Sequence, residues 1–277
     1  MEIYKMKKIF ALLLAIAMCL LLTACGDSAP ASQGANHQVN DSDLSYIKEK
    51  GTLVVGITEF KPMDYQNANG EWVGFDAELA AAFAKSLGVD IQFQLIEWDS
   101  KVAELNNKNI DAVWNGMTLS DDVKASMAIS NPYFNNAQVV IVKANAAGQY
   151  QTEESLADAT FAVESGSAGQ EQASARGFTC IEVSDQISAL QSVSSGASDA
   201  AIVDFLMAMA TIGEGTRYSD LTYTVSLSSE EYGVGFRKGS DLAAALNEFL
   251  AASYADGTMQ SIARSYGIAA FLLAQLR

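Results

Sequence analysis

From Leu44 onward, short apolar runs take turns with stretches whose apolar residues recur at helical spacing. Leu53-Val54-Val55-Gly56-Ile57 predicts a strand. Asp76 to Leu87 predicts a helix with Leu79, Ala80, Phe83 and Leu87 on one face and Gly88 as its stop. Ile91 to Leu95 alternates as a second strand, and Asn69-Gly70 predicts a tight turn closing a small hairpin toward Trp72 and Val73. A helix through Val102 and Leu105, then the apolar run Ile110 to Trp114, continue the pattern. Strand, helix, strand, helix, strand is the grammar of an α/β protein built on a mixed, mostly parallel sheet flanked by helices.

The run Ile110 to Trp114 breaks at Asn115-Gly116, where a glycine lets backbone or ligand approach closely. Thr118 then offers a hydroxyl, and Ser120 with Asp121 and Asp122 is placed to cap a short helix. Val139 to Val142 predicts the strand on which the chain leaves a first lobe, followed by a polar helix over Gln149 to Asp158. Phe161-Ala162-Val163 then runs into Glu164-Ser165-Gly166-Ser167-Ala168-Gly169 and a helix. The free amides of such a turn favour an anion, although the lysine and spacing of a nucleotide-phosphate loop are missing. Asp185 to Val193 reads as a capped helix, and Ala200 to Val203 as a buried strand ending on Asp204. A carboxylate in that position is costly unless it has a partner. Leu221 to Val225 and Glu231 to Phe236 predict strands, and Asp241 to Tyr254 and Gly257 to Tyr266 helices. Two crossings make a hinge, with 44–141 and 232–277 expected in lobe 1 and 142–231 in lobe 2.

The N-terminus follows a different rule. Lys5, Lys7 and Lys8 precede the uncharged run Ile9 to Leu22, so residues 1–24 read as a cleaved signal peptide. Leu22-Thr23-Ala24-Cys25-Gly26 resembles the bacterial lipobox, which implies acylation of Cys25 and anchoring of the protein, outside the cytoplasm, to the cell membrane. Residues 25–43 are small and polar, a flexible tether that holds the lone histidine, His37. The net charge of −16 argues against nucleic acid as a partner. Cys180 would be the one thiol left free in the mature chain, so no intrachain disulfide is expected, and its apolar flanks suggest a buried structural role. No spacing of ligating side chains calls for a metal, and no motif calls for a cofactor.

Six segments occur in a telling order: Gly74-Phe75-Asp76, Asn115-Gly116-Met117-Thr118-Leu119-Ser120, Ser130-Asn131-Pro132-Tyr133, Gln138-Val139-Val140, Asp199 to Asp204, and Tyr232 to Phe236. From about Leu44 to its end the chain resembles the family 3 extracytoplasmic solute-binding proteins that serve polar amino acid ABC transporters. The resemblance implies a two-lobed, periplasmic-binding-protein-like fold joined by two hinge strands, a monomer that traps a ligand between its lobes and docks on a membrane permease. It implies that Phe60 stacks on the ligand, that Trp98 walls the other side, and that Asn115, Gly116 and Thr118 complete the first lobe's share. Ser167 and Ala168 would meet the ligand's carboxylate from the second lobe, and Asp204 its ammonium. One departure matters: where the family carries a carboxylate-binding arginine, this chain has Val123. Lys124, Lys61 or Arg176 could replace it, or the ligand could be an amine without a carboxylate. Rival readings are a binding protein that feeds a receptor, and a dehydratase-like enzyme with Glu59 or Asp204 as general base.

Overall fold

Two sheets grow from these runs in the computed structural model, which describes residues 42–275. The expected signal peptide at 1–24, Cys25 and His37 lie outside the described residues. Helix α1 (Asp43–Lys50) begins on Ser42, whose hydroxyl accepts from the Ser45 amide at 3.0 Å. Ser42 and Asp43, expected to end the tether, therefore already belong to the folded part. There follow β1 (Thr52–Ile57), β2 (Tyr65–Gln66), β3 (Trp72–Val73), α2 (Phe75–Leu87), β4 (Asp90–Leu95) and α3 (Lys101–Asn106). Next come β5 (Ala112–Thr118), α4 (Asp121–Ser126), β6 (Ala128–Ile129) and β7 (Phe134–Asn136). The second group comprises β8 (Gln138–Lys143), β9 (Thr160–Glu164), α5 (Ala168–Arg176), β10 (Thr179–Val183), α6 (Gln186–Ser195), β11 (Ala200–Asp204), α7 (Phe205–Thr211) and β12 (Leu221–Ser226). The chain returns on β13 (Glu230–Phe236) and closes with α8 (Leu242–Ala255) and α9 (Thr258–Ser265).

The first sheet has the order β4-β1-β5-β13-β6, with β7 also on β13, and the second the order β10-β9-β11-β8-β12. In each sheet the strands linked through helices run parallel: β4, β1 and β5 in the first, β10, β9 and β11 in the second. The strands next to the crossings, β13 and β8, run antiparallel to them. The molecule is thus a two-lobed α/β protein with mixed sheets flanked by helices.

Burial explains why some strands read as unbroken apolar runs. Val139 and Ile141 of β8 face one buried cluster and Val140 and Val142 the other, so both faces of that strand are covered. In the first lobe Phe75, Phe83, Trp114, Tyr133, Phe134, Tyr232 and Phe236 form one core with the apolar faces of α2, α8 and α9.

Two further expectations differ. Strand β8 pairs with β11 from Gln138 onward, so the chain changes sheet between Asn136 and Gln138 rather than at 141–142. The apolar run alone could not reveal which sheet its hydrogen bonds joined. The stretch 149–158 forms no α-helix; only short 3-10 turns occur at Ala144–Gln149 and Glu153–Leu156. Leu156 is its one buried residue, too little to hold a helical face against the lobe.

Candidate functional site

The outgoing and returning crossings lie side by side. Glu230 opens β13 opposite Asn136 of β7, the Leu227 amide donates to the Gln138 carbonyl at 2.8 Å, and the Gln138 amide donates to Ser228 Oγ at 3.0 Å. Beside them, at the carboxyl ends of β1, β5, β9 and β11, residues of both lobes line one shared cavity. Such strand ends are where open α/β sheets take ligands.

The first lobe supplies Phe60, Trp98, Asn115, Gly116 and Thr118 to this cavity, and the second supplies Ser167, Ala168 and Asp204. All eight residues singled out in the sequence therefore line one space. Several are already engaged. Asn115 Oδ1 accepts from the Thr58 amide at 3.0 Å and hydroxyl at 2.7 Å, while its Nδ2 donates to the Thr58 carbonyl and to Asp64 Oδ2. Its side chain fixes the loop that presents Phe60. Thr118 Oγ1 donates to Glu230 at 2.8 Å, and Ser167 Oγ caps α5 by accepting from the Gln170 amide.

Gly116 sits at φ +56°, its amide donating to Asp76 at 2.6 Å. A Cβ there would lie 2.4 Å from Phe60 Cε1, so the ring reaches its place only because that carbon is missing. Phe60 in turn meets Tyr232 edge-on, with ring centroids 6.3 Å apart.

Asp204 does not cap α7, although it directly precedes it. Its Oδ1 accepts from Asn136 Nδ2 and from the Tyr232 hydroxyl, both at 2.6 Å, and its Oδ2 accepts from Gln186 Nε2 at 2.5 Å. Burial, then the Glu230 carboxylate, pushes its pKa up to about 7, opposed by hydrogen bonds from Tyr232, Gln186 and Gln138. Leu206 and Met207 just beyond it pack into the first lobe's core, so Asp204 is held where the two lobes meet.

Sequence reasoning missed several cavity residues. Lys101 Nζ lies 4.8 Å from the centre of the Trp98 ring and donates to the Trp98 carbonyl at 3.1 Å and, across the cleft, to the Gly166 carbonyl at 2.8 Å. Burial lowers its pKa, opposed by Glu164, Glu171 and Asp99. Glu164, 3 % exposed, ends β9, and its Oε1 has no hydrogen-bond partner. Burial, then the Asp204 and Asp185 carboxylates, raises its pKa to about 8. The signal that singled out Asp204, an acid ending an apolar strand, was equally present at Val163-Glu164. Lys101 offered none, since a lysine opening a helix normally reads as solvated.

Val123 lines the cavity as an apolar wall. None of the three cations weighed as its substitute lines this space among the described residues. Lys61 and Glu59 border a separate groove, Lys124 borders an outer one, and Arg176 pairs with Glu153 at 2.9 Å. A further cross-cleft contact is Ser120 Oγ to Glu171 at 3.1 Å.

The model of the bacterial extracellular solute-binding proteins, family 3, matches residues 53–269. The L-cystine-binding protein TcyJ of Escherichia coli is 31 % identical over 227 residues, covering 80 % of this chain and 85 % of that protein. A mutant of ArgBP from T. maritima superposes with a TM-score of 0.75 at 30 % identity, over 81 % of this chain and 98 % of the other. The cyclohexadienyl dehydratase of Pseudomonas aeruginosa is 26 % identical over 152 residues, 54 % of this chain and 53 % of the enzyme.

Proposed function

This chain belongs to the bacterial extracellular solute-binding proteins, family 3, and on that premise we propose that it captures a small amino compound, an amino acid or a related amine, in the interlobe cleft and hands it to an ABC permease. The observation that carries this reading is Asp204. It is buried, aimed by Tyr232, Asn136 and Gln186 rather than turned to its own helix, and it lines the cavity. A carboxylate kept there against its desolvation cost suits a cationic nitrogen. Phe60 and Trp98 line the same cavity and add aromatic surface to it.

Closure is the working step. The first lobe presents Phe60, Trp98 and Thr118; the second adds Ser167 and Asp204 when the lobes meet. A ligand shifts the open–closed balance only through this difference in contacts. Acylation of Cys25 would keep the protein at the membrane beside its permease, and mass spectrometry of the mature N-terminus checks it.

The experiment for the capture reading is a thermal-shift screen of amino acids, amines and short peptides. Ligand at about 100 times its dissociation constant adds about 2.7 kcal/mol to stability. The expected result is a raised melting temperature with at least one amino compound, accompanied by compaction in small-angle scattering. A screen in which no amino compound shifts the melt would defeat the proposal.

A further inference from the structure

We propose that Glu164 forms a second cation subsite beside Asp204, so that the ligand is a small diamine with no carboxylate. The inference rests on the amine-capture reading above and names the class of compound.

Glu164 and Asp204 end neighbouring parallel strands, β9 and β11, on the same wall of the cavity. Asp204 has three donors, whereas Glu164 Oε1 is buried and has none. A buried carboxylate oxygen left unpaired is a standing cost that an incoming N–H group removes. Four elements place charged or polar groups around Glu164. Lys101 comes from α3, Asp204 from β11, Glu171 from α5, and Gln186 with the capping Asp185 from α6. Lys101 could neutralise Glu164, yet its ammonium donates to the Trp98 and Gly166 carbonyls instead.

The ionisable groups lining the cavity are thus three carboxyls, Glu164, Glu171 and Asp204, against the amine of Lys101. A ligand carboxylate would meet that preponderance of acidic groups, the apolar Val123 wall, and a lysine already engaged. Two amino groups on a short alkyl chain would instead meet two carboxylates, with Phe60, Trp98, Met117 and Val123 against the methylenes. Both carboxyls hold protons near neutrality in the free protein, Glu164 to about 8 and Asp204 to about 7. A bound dication favours their ionised forms and displaces protons to the buffer.

Calorimetric titration of the mature protein at pH 7 with 1,4-diaminobutane, 1-aminobutane, ornithine and glutamine tests this. The diamine should bind at least tenfold more tightly than each of the others. Its heat should change with the ionisation enthalpy of the buffer, as proton release requires. Glu164→Gln should lose at least tenfold of the diamine affinity and release fewer protons, and Glu164→Asp should recover part of both. Melting curves of both variants check that they are folded. Ornithine or glutamine binding more tightly than the diamine would overturn the diamine proposal and leave amine or amino acid capture standing. Binding of none of the four overturns the proposal outright, and the capture reading then rests on the wider screen.

Discussion

Gly116 shows how one missing carbon shapes the cleft. Its backbone is in the left-handed region, and an added methyl would strike Phe60 at 2.4 Å and approach Tyr232 at 3.2 Å. Gly116→Ala should therefore cost about 1–3 kcal/mol in a denaturant melt and weaken ligand binding at least tenfold, because Phe60 must leave the cavity wall. Unchanged affinity in a stably folded variant would show that Phe60 is not part of the site. At this scale the sequence was legible wherever a residue type had one physical excuse for its position. A glycine after a buried strand, an aromatic residue at a strand's end and an acid closing an apolar run all turned up on one cavity. Lys101 and Gln186 escaped because their roles depend on neighbours distant in sequence, Gly166 for the one and Asp204 for the other.

Elements are held in place as much by ions as by packing. Helix α1 is tied to the rest by Arg237, whose guanidinium donates to both Asp43 oxygens at 2.9 to 3.1 Å, to Asp111 at 3.3 Å and to the Ile110 carbonyl at 2.8 Å. Lys50 at the far end of α1 reaches the same Asp111 at 2.5 Å. Arg237→Ala leaves Asp43 without its cation, and breaking a buried pair in this way costs about 3–5 kcal/mol. Equilibrium unfolding should show that loss, while ligand affinity at low temperature stays the same because Arg237 does not line the cavity. A cost below about 1 kcal/mol would mean that α1 is held without Arg237, by Ile47 and the Lys50–Asp111 pair. This tie was invisible in the sequence, since Arg237 and Asp43 lie 194 positions apart. The strands, by contrast, announced themselves, because burial on both faces writes continuous apolar runs. What the runs do not carry is partnership, so the apolar run of β8 does not reveal that the boundary lies before its first residue.

For the molecule as a whole, four buried carboxyls set the response to pH. Burial, then the neighbouring Asp76, raises Asp64 well above the usual carboxylate range, and burial brings Asp76 to about 7. Glu164 and Asp204, at about 8 and about 7, add the second pair. In the unfolded chain all four titrate near ~4, so at intermediate pH the folded state keeps protons that the unfolded state has lost. The stabilisation from Asp76, Glu164 and Asp204 is full below about pH 4 and is lost as pH rises through about 7 to 8, Asp64 acts in the same direction, and each carboxyl contributes at most about 1.4 kcal/mol per pH unit. The free protein should therefore melt higher at pH 5.5 than at pH 8.5. The net charge of −16 pushes in the same direction through self-repulsion, and Glu164→Gln separates the two causes, since it removes one titration while changing the total charge by a single unit. The pairs also differ in their access to ligand. Asp64 and Asp76 lie behind Asn115 and Gly116, whereas Glu164 and Asp204 line the cavity. A saturating amine should consequently remove the cavity pair's share of the pH slope and leave the floor pair's share. Melting curves across pH 5.5–8.5, with and without ligand, read both shares. A melting temperature that rises with pH in the free protein would refute the assignment of protons to these carboxyls.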